Sequence, residues 1–241
     1  MGAVQDRVLE CFESGAGTCY SDYPCFHQIM AEDSEQTVTS QLFRVLLPLA
    51  PGLVARIEAG IDVLDAGCGR GSALLAMAQR YLASRFVGID LCAEAVGAAQ
   101  REARSLGLHN IHFEARDLAG YEERQRFDFI TSFDAVHDQR DPQGLIHSLR
   151  GALRSGGVYL MQDIGGSARL ENNLEFPLAT LLYAVSCVHC LPISLGQGGP
   201  GLGTIRGWET AEAMLRTAGF SNIERHVLPH DPMNVRFVAR A

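Results

Sequence analysis

The sequence predicts an α/β protein with a mostly parallel sheet covered by helices on both faces. Three observations carry this reading. From residue 61 onward, apolar strand-like runs alternate with helix-forming stretches over short connections, the pattern of repeated β-α-β units. Residues 63–72 pass from an apolar strand through Gly67, Gly69 and Gly71 into the helix formers of 73–78. Finally, 241 residues, 47% of them hydrophobic, suffice for one sizeable core.

The elements follow in order. Residues 61–65 read as the first strand and 72–82 as the helix after it. Residues 85–90 form the second strand, 93–106 an alanine-rich helix, 110–114 the third strand and 127–133 the fourth. Pro142 sits where a helix opens, ahead of 145–153, and the turn Ser155-Gly156-Gly157 leads into a fifth strand at 158–162. Beyond this the alternation ends. Residues 209–218 form a helix closed by Gly219, and 222–228 and 234–239 are strands linked by Pro229-His230-Asp231-Pro232. So short a link requires an antiparallel pair.

Two segments lie outside the alternation. Residues 1–60 read as an N-terminal lid with a helix at about 36–49, ahead of a core spanning 61–241. Residues 165–207 are an insertion in that core, helical over 171–186 and glycine-rich over 196–203, placed to cap a substrate pocket.

Composition narrows the function. The net charge is −8 and every basic residue is arginine, a balance that disfavours a nucleic-acid partner. No apolar stretch reaches the length of a membrane span, and the first residues lack a basic-then-apolar pattern, so a cytoplasmic protein without a membrane partner is expected. Seven scattered cysteines read as reduced. The isolated Cys187-Val188-His189-Cys190 reads as packing rather than a zinc site, and no metal is expected.

The glycine turn points to a nucleotide ligand beyond the carboxyl ends of the strands. Its G-x-G-x-G spacing departs from the dinucleotide fingerprint. Asp65, just ahead of Gly67, would repel a pyrophosphate but attract an ammonium group. Asp90 ends the second strand, placed to accept hydrogen bonds from ribose hydroxyls.

The run Asp65-Ala66-Gly67-Cys68-Gly69-Arg70-Gly71 resembles motif I of the class I S-adenosylmethionine-dependent methyltransferases, an acidic residue followed by x-G-x-G-x-G. The resemblance implies a Rossmann-like seven-stranded sheet of order 3-2-1-4-5-7-6 with strand seven antiparallel. It implies S-adenosyl-L-methionine as cofactor and S-adenosyl-L-homocysteine as product. Asp65, Gly67, Cys68, Gly69 and Gly71 then hold the cofactor, with Asp90 and Leu91 at the ribose. Asp117 meets the adenine amino group beside Leu118, and Phe133 and Asp134 lie close in motif IV. Tyr20 and Phe26 close over the cofactor from the N-terminal segment.

The pair His137-Asp138 resembles the His-Asp pair of plant-type small-molecule O-methyltransferases, which implies His137 as general base; Gln139 stands where those enzymes have Trp. His189 and Gln197 are placed on the substrate side. Residues 189–204, with Trp208, resemble a bacterial and animal group of methyltransferases whose catalytic domain follows a winged-helix segment. Residues 1–60 are too short for that segment, so the chain reads as a lone or truncated catalytic domain. The reading favoured is methyl transfer to an oxygen or nitrogen of a small-molecule acceptor, by a homodimer. The alternatives are a protein or nucleic-acid methyltransferase and a cofactor-binding regulatory module without turnover.

Overall fold

The structure, a computed structural model, describes residues 2–241. Seven strands form one sheet: β1 (Asp62–Ala66), β2 (Arg85–Asp90), β3 (Ile111–Ala115), β4 (Phe127–Phe133), β5 (Leu153–Ile164), β6 (Asn222–Leu228) and β7 (Asp231–Arg240). Their order is β3-β2-β1-β4-β5-β7-β6. The first five run parallel, and β7 is antiparallel to both β5 and β6. The expected sheet is the one observed.

Period-two alternation sorts the strand side chains onto two cores. Val63, Val158, Leu160 and Val238 face one side, with Leu74 and Met77 of α4 (Ser72–Arg80) and Val96 and Ala99 of α5 (Ala93–Ser105). Leu64, Tyr159, Met161 and Phe237 face the other, with Leu145 and Leu149 of α6 (Pro142–Ala152) and Leu215 of α9 (Trp208–Thr217). Pro142 opens α6 beneath Asp141, whose side chain accepts from the Gly144 N–H. Gly219, at φ +95°, closes the turn after α9 as its position predicts.

Several boundaries differ from the sequence expectation. β5 begins at Leu153, not 158, because Leu153 already pairs with Phe127 and the register shifts before Phe129. β7 begins at Asp231, so only Pro229 and His230 turn the hairpin. The N-terminal segment opens with a helix, α1 (Gln5–Ser14). The helix expected at 36–49 is instead the end of α2 (Phe26–Thr37) followed by tight 3-10 and π turns to Leu49, then α3 (Leu53–Ala59). The helix expected at 171–186 is α7 (Ala179–Val185), because Pro177 precludes a continuous run. From Ala179 a π turn joins α7 to α8 (Leu191–Gly196) as one apolar helical run of 18 residues, long and apolar enough by composition to cross a membrane, contrary to expectation. Its His189, Cys190, Ile193 and Ser194 are buried in the protein.

The antiparallel end of the sheet carries a buried ion pair. Arg236 of β7 is fully buried, and its Nη2 meets Asp231 Oδ2 while its Nη1 donates to the carbonyls of Asp231 and Asn234. Removing the carboxylate strands a buried guanidinium. The Asp231→Ala variant is therefore expected to lose roughly 3–5 kcal/mol of stability in urea unfolding. A loss below about 1 kcal/mol would show that the Arg236 charge is neutralised elsewhere.

Candidate functional site

A cavity of ≈ 1060 Å³, counting its solvent-facing mouth, lies at the carboxyl ends of β1, β2 and β4. Its floor is the turn between β1 and α4. Gly67, Gly69 and Gly71 all take left-handed backbone, at φ +79°, +53° and +72°. A Cβ on Gly67 would stand 2.4 Å from Ala135 Cβ, and one on Gly71 2.5 Å from the Phe113 ring. The turn therefore needs glycine twice over. Asp90 braces it: Oδ2 accepts from the Gly69 N–H at 2.8 Å and Oδ1 from the Cys92 N–H at 2.8 Å.

The cavity wall is acidic. Asp33, Asp65, Asp90, Asp134 and Asp138 line it, against Arg70 as the one arginine. Burial raises the Asp65 carboxyl to about 7, although Thr131 Oγ1 donates to its Oδ1 at 2.8 Å. Asp134 is raised to about 6, by burial first and then by the charge of Asp163. Its backbone is left-handed at φ +52°, and Gln162 Nε2 donates to its Oδ2 at 2.6 Å. Oδ1 of Asp134 and Oδ1 of Asp138 are buried without a hydrogen-bond partner. Desolvated carboxylates with spare acceptor capacity fit a ligand that brings positive charge and donors.

Of the expected residues, Asp65, Gly67, Cys68, Gly69, Gly71, Asp90, Leu91, Leu118, Phe133, Asp134, Tyr20, Phe26 and Gln197 all stand on this wall. Asp117 is not there. It is exposed, its Oδ1 accepts from the Ala119 N–H, and its Oδ2 pairs with Arg140 at 3.1 Å. In this structure the turn after β3 presents Leu118 to the cavity and Asp117 to solvent, where Arg140 holds it. His189 is also off the wall. It is buried under the N-terminal segment, stacked on Phe26 at 4.2 Å and edge-on to Tyr23 at 4.6 Å, and burial lowers it to about 3. It packs as a neutral aromatic ring.

His137 sits one layer behind the wall. Its Nδ1 lies 2.9 Å from Asp163 Oδ1, and Nε2 lies 3.3 Å from Asp138 Oδ1. Burial alone would lower the imidazole, but the two carboxylates outweigh it and hold His137 well above the ordinary histidine value. Both ring nitrogens face carboxylates and His137 is not among the residues lining the cavity, so in this structure Asp138 stands between the histidine expected as general base and the cavity. Asp138 is the member of the pair on the wall. Burial raises its carboxyl, with His137 opposing, and Tyr20 donates its hydroxyl to Oδ2 at 3.4 Å.

The sequence left the carboxylate partner of His137 unidentified. It is Asp163, an acidic residue inside the buried strand β5, itself paired through Oδ2 with the buried Arg206 at 2.5 Å. A charged residue in an apolar strand was the available signal. The lid residues Met30, Ala31 and Ser34 of α2 were likewise missed, because their helix was placed ten residues too late.

A family profile described as a methyltransferase domain matches residues 57–198. Among curated relatives, the (S)-coclaurine N-methyltransferase of Papaver somniferum is 26% identical over 110 residues, 46% of this chain and 31% of the relative. The ubiquinone biosynthesis O-methyltransferase of Leptothrix cholodnii is 30% identical over 107 residues, 44% of this chain and 45% of the relative. The chain spans less than half the length of these relatives. A SAM dependent methyltransferase from Aquifex aeolicus has the same fold, with a TM-score of 0.62 at 15% identity over 90% of this chain and 98% of that one. An O-methyltransferase family protein from Burkholderia thailandensis gives a TM-score of 0.69 at 16% identity over 98% of this chain and 67% of that one.

The raised carboxyl on the cavity floor is directly measurable. In ligand-free protein, carboxyl NMR should show Asp65 titrating near 7 instead of its ordinary 3.8. The sign for stability follows: the folded state holds the proton longer, so wild type should lose stability relative to Asp65→Asn as pH rises from about 4 to about 7. A carboxyl midpoint below about 5 would show that the floor is hydrated.

Proposed function

Because this chain belongs to that methyltransferase-domain family, we propose that it transfers the methyl group of S-adenosyl-L-methionine to an oxygen or nitrogen of a small-molecule acceptor. The carrying observation is the acidic, glycine-floored cavity at the strand ends. The cofactor supplies a methyl group on a positively charged sulfur. Such a ligand is cationic at its sulfonium and ammonium groups, and the carboxylates on the wall complement it where they would repel a dinucleotide pyrophosphate.

The residues divide by chemistry. Asp90, already fixed by two backbone N–H groups, keeps lone pairs for ribose hydroxyls. Asp65 and the main chain of Gly67 to Gly71 hold the amino-acid end. Leu91 and Leu118 supply apolar walls for the base, and Phe133 and Asp134 border the reacting end. Tyr20, Phe26 and Met30 cover the cavity from the N-terminal side and limit water there.

Methyl transfer needs alignment and, for an acceptor bearing a removable proton, a base. Asp138 is the wall residue suited to act as that base. Its Oδ2 receives the acceptor proton, and burial makes it a stronger base than an exposed aspartate. His137 and Asp163 behind it act as positioning residues, setting the orientation of the Asp138 carboxylate. A small acceptor is supported by relatives named as a coclaurine N-methyltransferase and a ubiquinone biosynthesis O-methyltransferase, and by the net charge of −8.

Two variants separate binding from turnover. Asp90→Ala should weaken S-adenosylmethionine binding about 10–100-fold in calorimetry, the loss of one to two charged hydrogen bonds; unchanged affinity would remove Asp90 from the ribose. Asp138→Asn should keep cofactor affinity within a few-fold and lower turnover about 10²–10⁴-fold across a panel of phenol, catechol and amine acceptors. Full turnover in that variant would exclude Asp138 as base. Tight cofactor binding by wild type without turnover on any acceptor would favour a regulatory module.

A further inference from the structure

We propose that His137 Nε2, Asp138 Oδ1 and Cys190 Sγ form a binding site for a zinc-class divalent cation, which ties the capping insertion to the loop after β4. The site shares Asp138 and His137 with the proposed function but uses Asp138 Oδ1, leaving Oδ2 to face the acceptor.

The geometry carries the assignment. The three ligand atoms lie within 4.8 Å of one another, and all three residues are buried. The Nε2 to Oδ1 separation is 3.3 Å, and no hydrogen bond satisfies Oδ1. Around a tetrahedral zinc ion, with ligand bonds of about 2.0–2.3 Å, the distance between neighbouring ligand atoms is about 3.3–3.7 Å. The nitrogen and oxygen already stand at that spacing. The sulfur needs to move inward by no more than about 1.5 Å, within reach of a cysteine rotamer adjustment. One imidazole, one carboxylate and one thiolate form a mixed N/O/S donor set, which suits zinc and disfavours magnesium and calcium.

The surroundings are arranged as metal sites arrange them. Asp163 Oδ1 holds the His137 Nδ1–H at 2.9 Å, which leaves Nε2 as the ligating nitrogen. Thr204 Oγ1 donates to Cys190 Sγ at 2.9 Å, an interaction that fixes the position of the sulfur. Tyr20 donates to the other oxygen of Asp138 at 3.4 Å, so Oδ1 alone is left for an ion. Arg206 balances Asp163. On loading, the Cys190 thiol and the His137 imidazolium each give up a proton to solvent, and the divalent ion replaces the positive charge lost. The buried cluster thus stays electrically balanced.

The consequence is mechanical. Cys190 begins the last turns of the insertion's apolar helix, whereas His137 and Asp138 follow β4. An ion between them links cap to core beside the cavity wall.

The test reads metal, not methyl transfer. Protein purified without chelators should retain about one equivalent of zinc, as a single three-ligand site requires. After chelation, Co²⁺ titration should produce a thiolate-to-cobalt charge-transfer band that saturates at micromolar ion. That band should disappear in Cys190→Ser and persist in Cys187→Ser, whose cysteine is exposed. Zinc should also slow amide exchange across 179–203. If Cys190→Ser does not fold, the wild-type cobalt spectrum decides alone. Absence of the band, its survival in Cys190→Ser, or lack of saturable uptake would overturn the site and leave a protonated histidine between two carboxylates. S-adenosylmethionine calorimetry on the same metal-free protein keeps this outcome separate from any failure of the methyl-transfer reading.

Discussion

Parallel strands all deliver their carboxyl ends to one edge of the sheet, and in this protein four of them deliver an acid. Asp65 lies next to the end of β1, Asp90 ends β2, Asp134 follows β4, and Asp163 lies near the end of β5. Neighbouring strands stand about 4.8 Å apart, so these carboxylates cannot be separated by more than a few strand widths. Burying carboxylates is unfavourable, and bringing like charges so close adds to the cost. The structure responds in two ways, by raising Asp65 and Asp134 toward neutrality and by supplying counter-charges. The fold thus concentrates negative potential where the glycine turn leaves room for a ligand.

The counter-charges lie on the side away from the glycine floor. Arg206 and the charged His137 meet Asp163, whose carboxyl they hold below its ordinary value despite burial. Asp65 has no such partner and relies on Thr131. The two ends of the cavity are therefore electrostatically different: one is compensated internally, and the other waits for a cation from outside. Under the proposed function, the uncompensated end is the one suited to the ammonium and the compensated end the one that faces the acceptor. At the opposite edge of the sheet, Arg154 bridges Asp62 at 2.9 Å and Asp128 at 2.5 Å, so acids there are paired locally and create no comparable field.

Much of this was legible in the sequence wherever one residue's local environment decides its type. Strands β2, β4 and β6 lie at the predicted residues, since doubly covered strands show continuous apolar runs and the β6 hairpin shows its turn. The glycine turn and Asp90 were legible because positive φ and a strand-end acid leave a residue-level mark. What escaped depends on long-range pairing. Asp163 is separated from His137 by 26 residues, so no spacing rule joins them. The Asp117–Arg140 pair was not legible because the side-chain direction in a turn depends on where a distant partner stands. The start of α2 was missed because Cys25, in left-handed backbone, opens it without a capping side chain.

The N-terminal segment and the capping insertion make a single cover. His189 of the insertion stacks on Phe26 and meets Tyr23, while the Tyr23 hydroxyl donates to the Val188 carbonyl at 2.8 Å. Thr18 donates its backbone N–H to the Pro192 carbonyl at 2.9 Å, and a Cβ on Gly17 would stand 1.9 Å from the Gly196 nitrogen. Backbones that close cannot slide independently. Tyr20 and Gln197, one from each segment, both reach Asp138, by its carboxylate and by its carbonyl at 3.0 Å. Opening the cavity on this side therefore means moving both segments together against contacts that end on Asp138. The residue proposed to take the acceptor's proton is also the one on which the cover closes, so the position of the cover and the basicity of that carboxylate are coupled through the Tyr20 hydrogen bond, while Gln197 anchors the Asp138 main chain.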